Sequence, residues 1–198
     1  MKSKLVDEKA LLNKAVQLLA QRNHSTIELT QKLLRFALSH YQKAQKQHQS
    51  SLETEFDSYD NFNFSFNAKQ DIEQLVKTVV QHCVSQHWLD DADYVCQYIR
   101  VRARKGYSKA RIVLELKQKG HELSAIMNTM EQSSIDWLAI GCSQLLKKFP
   151  QIDQHDLQQK VKIQQFFMSR GFPQSEIREI YELAIDRLST NSFLHHTS

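Results

Sequence analysis

The sequence predicts an all-α protein, built of tandem three-helix modules that form an elongated, curved helical-repeat body. Three observations lead there. Only 4 Gly and 2 Pro occur in 198 residues, too few for the closely spaced turns of a β-sandwich or barrel. Apolar residues recur at steps of three and four along most of the chain. A helix-to-helix corner of one pattern occurs three times. With 41% hydrophobic and 24% charged residues, the chain has an ordinary globular composition, and wholesale disorder is excluded.

The helices follow in order. Leu12, Ala15, Val16 and Leu19 share one face of a helix over about 8–21, and a second helix covers 25–40. Residues 42–67 are rich in Gln, Ser, Asn and Asp and carry no sustained apolar stripe, so they read as a polar loop or insertion. Alternating Phe62, Phe64 and Phe66 fit packing onto a neighbouring helix better than a lone strand. Ile72, Leu75, Val76, Val79, Val80, Cys83, Val84 and Trp88 mark a helix over 70–87. Tyr94, Val95, Tyr98 and Ile99 mark 91–104, and a further helix covers 108–119. From Leu123, a last group runs to about 187, with Trp137, Leu138, Leu145 and Leu146 on its middle helix. Ile177, Ile180, Tyr181, Ala184 and Leu188 line its final one. The expected division is a partial first module (1–41), the polar insertion (42–67), a second module (68–120), a third (121–188) and a flexible tail (189–198).

The corners are Arg22-Asn23-His24-Ser25, Lys105-Gly106-Tyr107-Ser108 and Arg170-Gly171-Phe172-Pro173. In each, apolar residues lie seven and eleven positions after the basic one: Leu29 and Leu33, Ile112 and Leu116, Ile177 and Tyr181. Glycine at the corner admits positive φ and ends a helix, and Asn is the next best tolerated there. The ring that follows can pack back over the corner. Ser25 and Ser108 suit N-caps, Ser25 with Glu28 has capping-box spacing, and Pro173 suits a first turn.

Charge is concentrated. Residues 100–119 hold eight basic side chains (Arg100, Arg102, Arg104, Lys105, Lys109, Arg111, Lys117 and Lys119) and one acid, Glu115. That segment carries +7 of a total of +4, leaving −3 for the rest. Such a surface suits an anionic partner, nucleic acid first; a solvated helix face is the alternative. Arg100 and Arg104 share a face with Gln97, away from the Tyr94/Val95/Tyr98/Ile99 stripe. Lys105, Tyr107, Lys109 and Arg111 surround the corner. Tyr107 can pack at the corner or stack on a base or partner side chain.

Motifs for catalysis are missing. There is no phosphate-cradling glycine loop, no dinucleotide fingerprint and no G-x-S-x-G elbow. Asp90, Asp91 and Asp93 precede an apolar helical stripe, where acids cap a helix and meet its dipole. His82, Cys83, His87 and Cys96 lack metal-ligand spacing, and Cys83 lies on the apolar stripe. Cys83, Cys96 and Cys142 read as reduced thiols without a disulfide framework. No catalytic residue, metal or cofactor is expected. The N-terminal stretch lacks a signal peptide's apolar core and no segment has membrane-spanning character, so a cytoplasmic protein is expected.

One set of residues resembles a known family. Trp88-Leu89-Asp90-Asp91, Tyr94, Tyr98, Arg102 and Lys105-Gly106-Tyr107-Ser108-x3-Ile112-x2-Glu115-Leu116-x2-Lys119-Gly120 are similar to the signature of the bacterial regulatory protein RecX. Ala20-x-Arg22-x-His24-Ser25-x2-Glu28-Leu29, Ile135-Asp136-Trp137, and Lys160-Val161-Lys162-Ile163-Gln164-x-Phe166-x3-Arg170-Gly171-Phe172 extend the match. It covers about 11–185 apart from the insertion. Asn23, where a corner glycine could sit, and the insertion itself depart from the pattern. The resemblance implies a modulator of the recombinase RecA that lodges in the groove of the RecA–DNA filament. It would inhibit ATP hydrolysis and strand exchange, and so act on recombination, DNA repair and the SOS response. Expected contacts to filament or DNA are Arg100, Arg102, Arg104, Lys105, Tyr107, Lys109 and Arg111, with Lys160, Lys162 and Arg170 in the third module. The expected protein is a monomer that touches DNA directly and is not an enzyme. The alternative function is a helical DNA-binding protein without a recombinase partner.

Overall fold

A computed structural model describes the backbone over 7–49 and 58–195, and side chains over 7–46 and 68–190. Every regular element among the described residues is a helix. They are α1 (Glu8–Leu19), α2 (Thr26–Gln49), α3 (Ser58–Ser85), α4 (Asp91–Arg104), α5 (Lys109–Gln118), α6 (Leu123–Gln132), α7 (Trp137–Lys148), α8 (Leu157–Met168) and α9 (Gln174–His195). The chain divides into two compact units, 1–94 and 95–198, and the body of α4 belongs to the second. No helix among the described residues is long and apolar enough to cross a membrane.

Capping fixes the helix starts. Oxygens of Asp7, Ser25, Asp90, Ser108, Asp136 and Asp156 accept from the backbone N–H three residues on, at 2.8–3.2 Å. Each such cap contributes about 1 kcal/mol. Asp90 thus has the structural role expected of it. Asp91 acts elsewhere in its unit: its Oδ1 accepts from Thr26 N at 2.7 Å, at the positive end of α2.

In the first unit α1, α2 and α3 share one core, which holds Leu11, Ala15, Leu29, Leu33, Ile72, Val76, Val79 and Cys83. The sequence grouped 70–87 with the helices after it, yet its apolar face is completed by the helices before it. The stripe is also narrower than its spacing implied: Val84 and Trp88 are exposed, and Trp88 stands edge-on to His82. The loop expected at 42–67 is corrected at both ends, because α2 continues to Gln49 and α3 is already helical from Ser58. No Gly or Pro interrupts 42–67, and its Gln, Lys and Ala residues tolerate helix without an apolar stripe. A strand through Phe62–Phe66 is excluded by the helical backbone; those side chains lie outside the described residues. Likewise α9 extends to His195 where a tail was expected from 189.

The first corner closes without positive φ. Left-handed backbone occurs at Gly106, Gly120, Gly171, His87 and Ser134, and Asn23 is not among the described residues that adopt it. His24 does the closing instead. Its ring is buried, with Nδ1 2.8 Å from the Arg22 carbonyl and Nε2 2.8 Å from Lys32 Nζ. A carbonyl only accepts and an ammonium only donates, so the proton sits on Nδ1 and the imidazole is neutral. Glu28, whose N–H takes the Ser25 cap, directs its carboxylate to Arg22 and Lys32.

In the second unit α7, α8 and α9 enclose Cys142, Leu145, Ile163, Phe167, Phe172, Ile177, Ile180 and Ala184. Gly141 lets α7 approach α9, since a Cβ there would collide with Ile180. Cys83 and Cys142 are buried and Cys96 is half-buried, all three as free thiols.

Burial pushes the His24 pKa below its ordinary value, and neighbouring Lys32 and Arg22 add to this against the hydrogen bond to Arg22. The folded state therefore disfavours the imidazolium. His24 costs no stability above the unfolded pKa of about 6.5, and stability falls as pH drops below it. The urea midpoint should decrease between about pH 7 and 5, and His24→Gln should flatten that decrease. An equal slope in the variant would contradict the role given to His24.

Candidate filament and nucleic-acid interface

The basic segment of the second unit sorts into engaged and available cations. Glu115 does the sorting. Arg102 donates through Nε at 2.7 Å to its Oε2 and through Nη2 to its Oε1. The Tyr98 hydroxyl donates to Oε2 at 2.9 Å, and Arg111 Nε donates to Oε1 at 3.1 Å. Tyr98 and Arg102 are four apart on α4, and Arg111 and Glu115 are four apart on α5, so each pair shares a helix face. Burial pushes the Glu115 carboxyl up, but the hydrogen bonds from Arg102, Arg111 and Tyr98 outweigh it and hold the group below its ordinary range. Glu115 is therefore a carboxylate at neutral pH.

Aromatic rings complete the cluster. The Arg102 guanidinium lies 3.7 Å from the Tyr107 ring centroid and 5.9 Å from that of Tyr98. Lys119 Nζ is 5.5 Å from the Tyr98 ring. Such contacts add about 0.5–1 kcal/mol each when partly exposed. Tyr107 is half-buried and packs against the guanidinium at the corner.

Arg100, Arg104 and Lys105 behave differently. All three are exposed, and among the described residues none forms an ion pair. Arg100 and Arg104 lie with exposed Gln97 on the side of α4 away from buried Val95, Ile99 and Ala103, as the spacing predicted. Lys109 is half-buried and lowers the pKa of Glu176, which burial and Glu179 raise. Lys160 and Lys162 are exposed on α8. Arg170 is half-buried, with its guanidinium 3.7 Å from the Phe166 ring centroid and Nη1 on the Phe166 carbonyl at 3.3 Å.

Two corners of this unit interlock. Ser108 N donates to the Arg170 carbonyl at 3.0 Å, and Ser108 Oγ donates to the Gly171 carbonyl at 2.6 Å. A Cβ at Gly171 would stand 2.7 Å from Arg111 Cβ and 2.9 Å from Ser108 Oγ, and φ there is +84°. At Gly106 (φ +80°) a Cβ would meet Gln144 Cγ at 2.6 Å. Gln144, on α7, donates to the Arg104 carbonyl at 3.3 Å. Both glycines thus serve close approach as well as positive φ.

Sequence reasoning named Arg102, Tyr107 and Arg111 as contacts, and the i,i+4 spacing already sets Arg111 beside Glu115; it did not place Arg102 and Tyr98 on that carboxylate, and it missed the docking role of Ser108, Gln144 and Gly171. Arg102 and Tyr98 lie 13 and 17 residues from Glu115, too far for a helical spacing to signal the contact. The corner docking left no local signal, because Ser108 and Gly171 are 63 residues apart. Among the described residues no group of three His, Cys, Asp or Glu side chains could hold a metal ion.

Glu115→Gln should destabilise the second unit by about 1–3 kcal/mol, since two half-buried donors lose a charged acceptor. Arg100→Gln, on an exposed face, should stay within about 0.5 kcal/mol of the parent. Urea denaturation of both variants checks this; equal effects would contradict the division into engaged and available cations.

The comparisons with known proteins follow this anatomy. The profile described as "RecX, second three-helix domain" matches residues 90–120, and "RecX, third three-helix domain" matches 136–181. The first match begins after α3, in keeping with the packing of α3 on α1 and α2. The chain is 33% identical over 174 residues to "Regulatory protein RecX" of Yersinia enterocolitica, covering 86% of this chain and 95% of the relative. Identity to the protein of that name from Yersinia pseudotuberculosis is 33% over 178 residues, covering 88% and 98%. For the Salmonella newport protein it is 31% over 171 residues, covering 86% and 89%. The chain belongs to the RecX family of regulatory proteins.

Proposed function

We propose that this protein restrains RecA. It binds RecA–DNA filaments as a monomer in the cytoplasm, inhibits their ATP hydrolysis and strand exchange, and so tempers recombination, DNA repair and the SOS response. It does so by binding, with no catalytic step of its own. The observation that carries this reading is the exposed set Arg100, Arg104 and Lys105, cations with no acid partner among the described residues, on a RecX-family chain.

The mechanism follows from that surface. Arg100 and Arg104 are one helical turn apart, so both can meet one anionic strip, whether DNA phosphates or acidic filament surface. Lys105 and Lys109 extend it around the corner. Arg102 and Tyr107 support it from behind: held by Glu115 and by each other, they fix the end of α4. Several weak contacts along a filament combine into avidity without a deep pocket.

The test is the double variant Arg100→Glu with Arg104→Glu, assayed against RecA-coated single-stranded DNA and against bare DNA. The variant should keep its helicity and bind filaments about tenfold or more weakly, because like charges then face the anionic strip. Where phosphates are the contact, the parent's log affinity should fall with log salt by roughly 0.7–0.9 per phosphate neutralised. A folded double variant that binds filaments like the parent would remove this surface from the mechanism. A parent that binds bare DNA but ignores filaments would replace the reading with plain DNA binding.

A further inference from the structure

Helix α8 buries one narrow face and leaves another unpartnered. Ile163 and Phe167 point into the core, whereas Leu157, Val161 and Met168 are 73%, 51% and 58% exposed. At about 100° per residue these three fall within about 40° of helical arc, so they form one straight stripe. A shallow open groove runs along it, lined by Leu157, Val161 and Lys162 together with Gln158 and Gln165. Lys160 and Lys162 flank the stripe on its two sides and are the only charged residues of α8, whose sequence LQQKVKIQQFFM contains no acid. Asp156, just before the helix, is occupied as its cap.

We infer that this face of α8 is a protein-docking surface for an acidic amphipathic helix presented by a filament protomer. The inference rests on the RecA-binding reading and adds the chemistry of the contact. Three apolar anchors over about three helical turns match the way an amphipathic helix lies in a groove. The two lysines select acidic residues beside the partner's apolar ones. Phosphodiester backbone has nothing to cover Leu157, Val161 and Met168. A second copy of α8 would set lysine against lysine. Lys160 and Lys162 thereby belong to protein recognition, and Arg100, Arg104 and Lys105 to the anionic strip.

Two arms test this on the full-length chain. In the first, isotope-labelled protein is titrated with a synthetic helical peptide bearing Leu anchors flanked by Glu, and with a control peptide in which Lys replaces Glu. Amide shifts are expected along α8 with the Glu peptide and not with the Lys peptide. In the second, Leu157→Asp with Val161→Asp is assayed on RecA-coated and bare single-stranded DNA. Filament binding should fall about tenfold or more, as for a central apolar contact, with bare-DNA binding unchanged. Should that variant misfold, Lys160→Glu with Lys162→Glu is read in its place, with the same expected loss on filaments and loss of the Glu-peptide shifts. The inference is overturned by absence of peptide shifts at α8, by parent-like filament binding of a folded variant, or by an equal loss on bare DNA. Self-association of the parent that the substitutions abolish would overturn it too, by making a second copy the occupant. A parent that takes the Glu peptide on α8 yet binds no filament would sink the RecA reading and leave this surface standing.

Discussion

Glu115 accepts hydrogen bonds from Arg102, Arg111 and Tyr98 in a half-buried position, and the rest of the second unit's chemistry is arranged around that fact. A half-buried carboxylate without partners would carry a large desolvation cost. Here the partners come from both α4 and α5, so meeting that cost also fixes how the two helices meet. Arg102, once fixed, gives Tyr107 a flat cation to pack against, and Tyr107 leads into the left-handed Gly106 turn. Arg100 and Arg104, one position to each side of Val101-Arg102-Ala103 on α4, take no part in this and remain in solvent. The segment's charge of +7 is therefore two populations: cations that build the unit and cations that face outward.

The same corner carries the next level of organisation. Ser108 caps α5 and also donates to the Gly171 carbonyl, so the start of one helix is tied to the end of another far along the chain. The tie depends on glycine, because at Gly171 both the backbone conformation and the space beside Arg111 reject a side chain. Arg170 holds its place over Phe166 and lends its carbonyl to Ser108. Its basic character serves the corner, while Lys160 and Lys162 on α8 carry the outward charge of that part of the unit. Engaged and outward-facing cations thus divide by residue, even inside one motif.

Much of this was legible in the sequence, and the exceptions have physical causes. Helix positions for α4, α5 and α7 follow directly from periodicity, because each has a short apolar stripe bounded by a cap. The resemblance motif already contained Tyr98, Arg102, Tyr107 and Glu115, the four residues that converge. Their role as a structural cluster was obscured because a count of charges does not say which are paired. The polar ends of α2 and α3 escaped notice because a helix without an apolar stripe leaves no period to read. The partner of α3 was misjudged because its apolar face fits a core on either side, and only packing decides. At the first corner, Asn23 was expected to supply a left-handed turn; a buried neutral His24 closes it with a hydrogen bond to the Arg22 carbonyl.

The proposed restraint of a RecA filament can be read in one assay. The most direct measurement is the single-strand-dependent ATPase of RecA with this protein titrated in, on DNA already coated. The ATPase rate should fall as the protein is added. An ATPase rate that stays unchanged at an excess over RecA, with the DNA still coated, would contradict it.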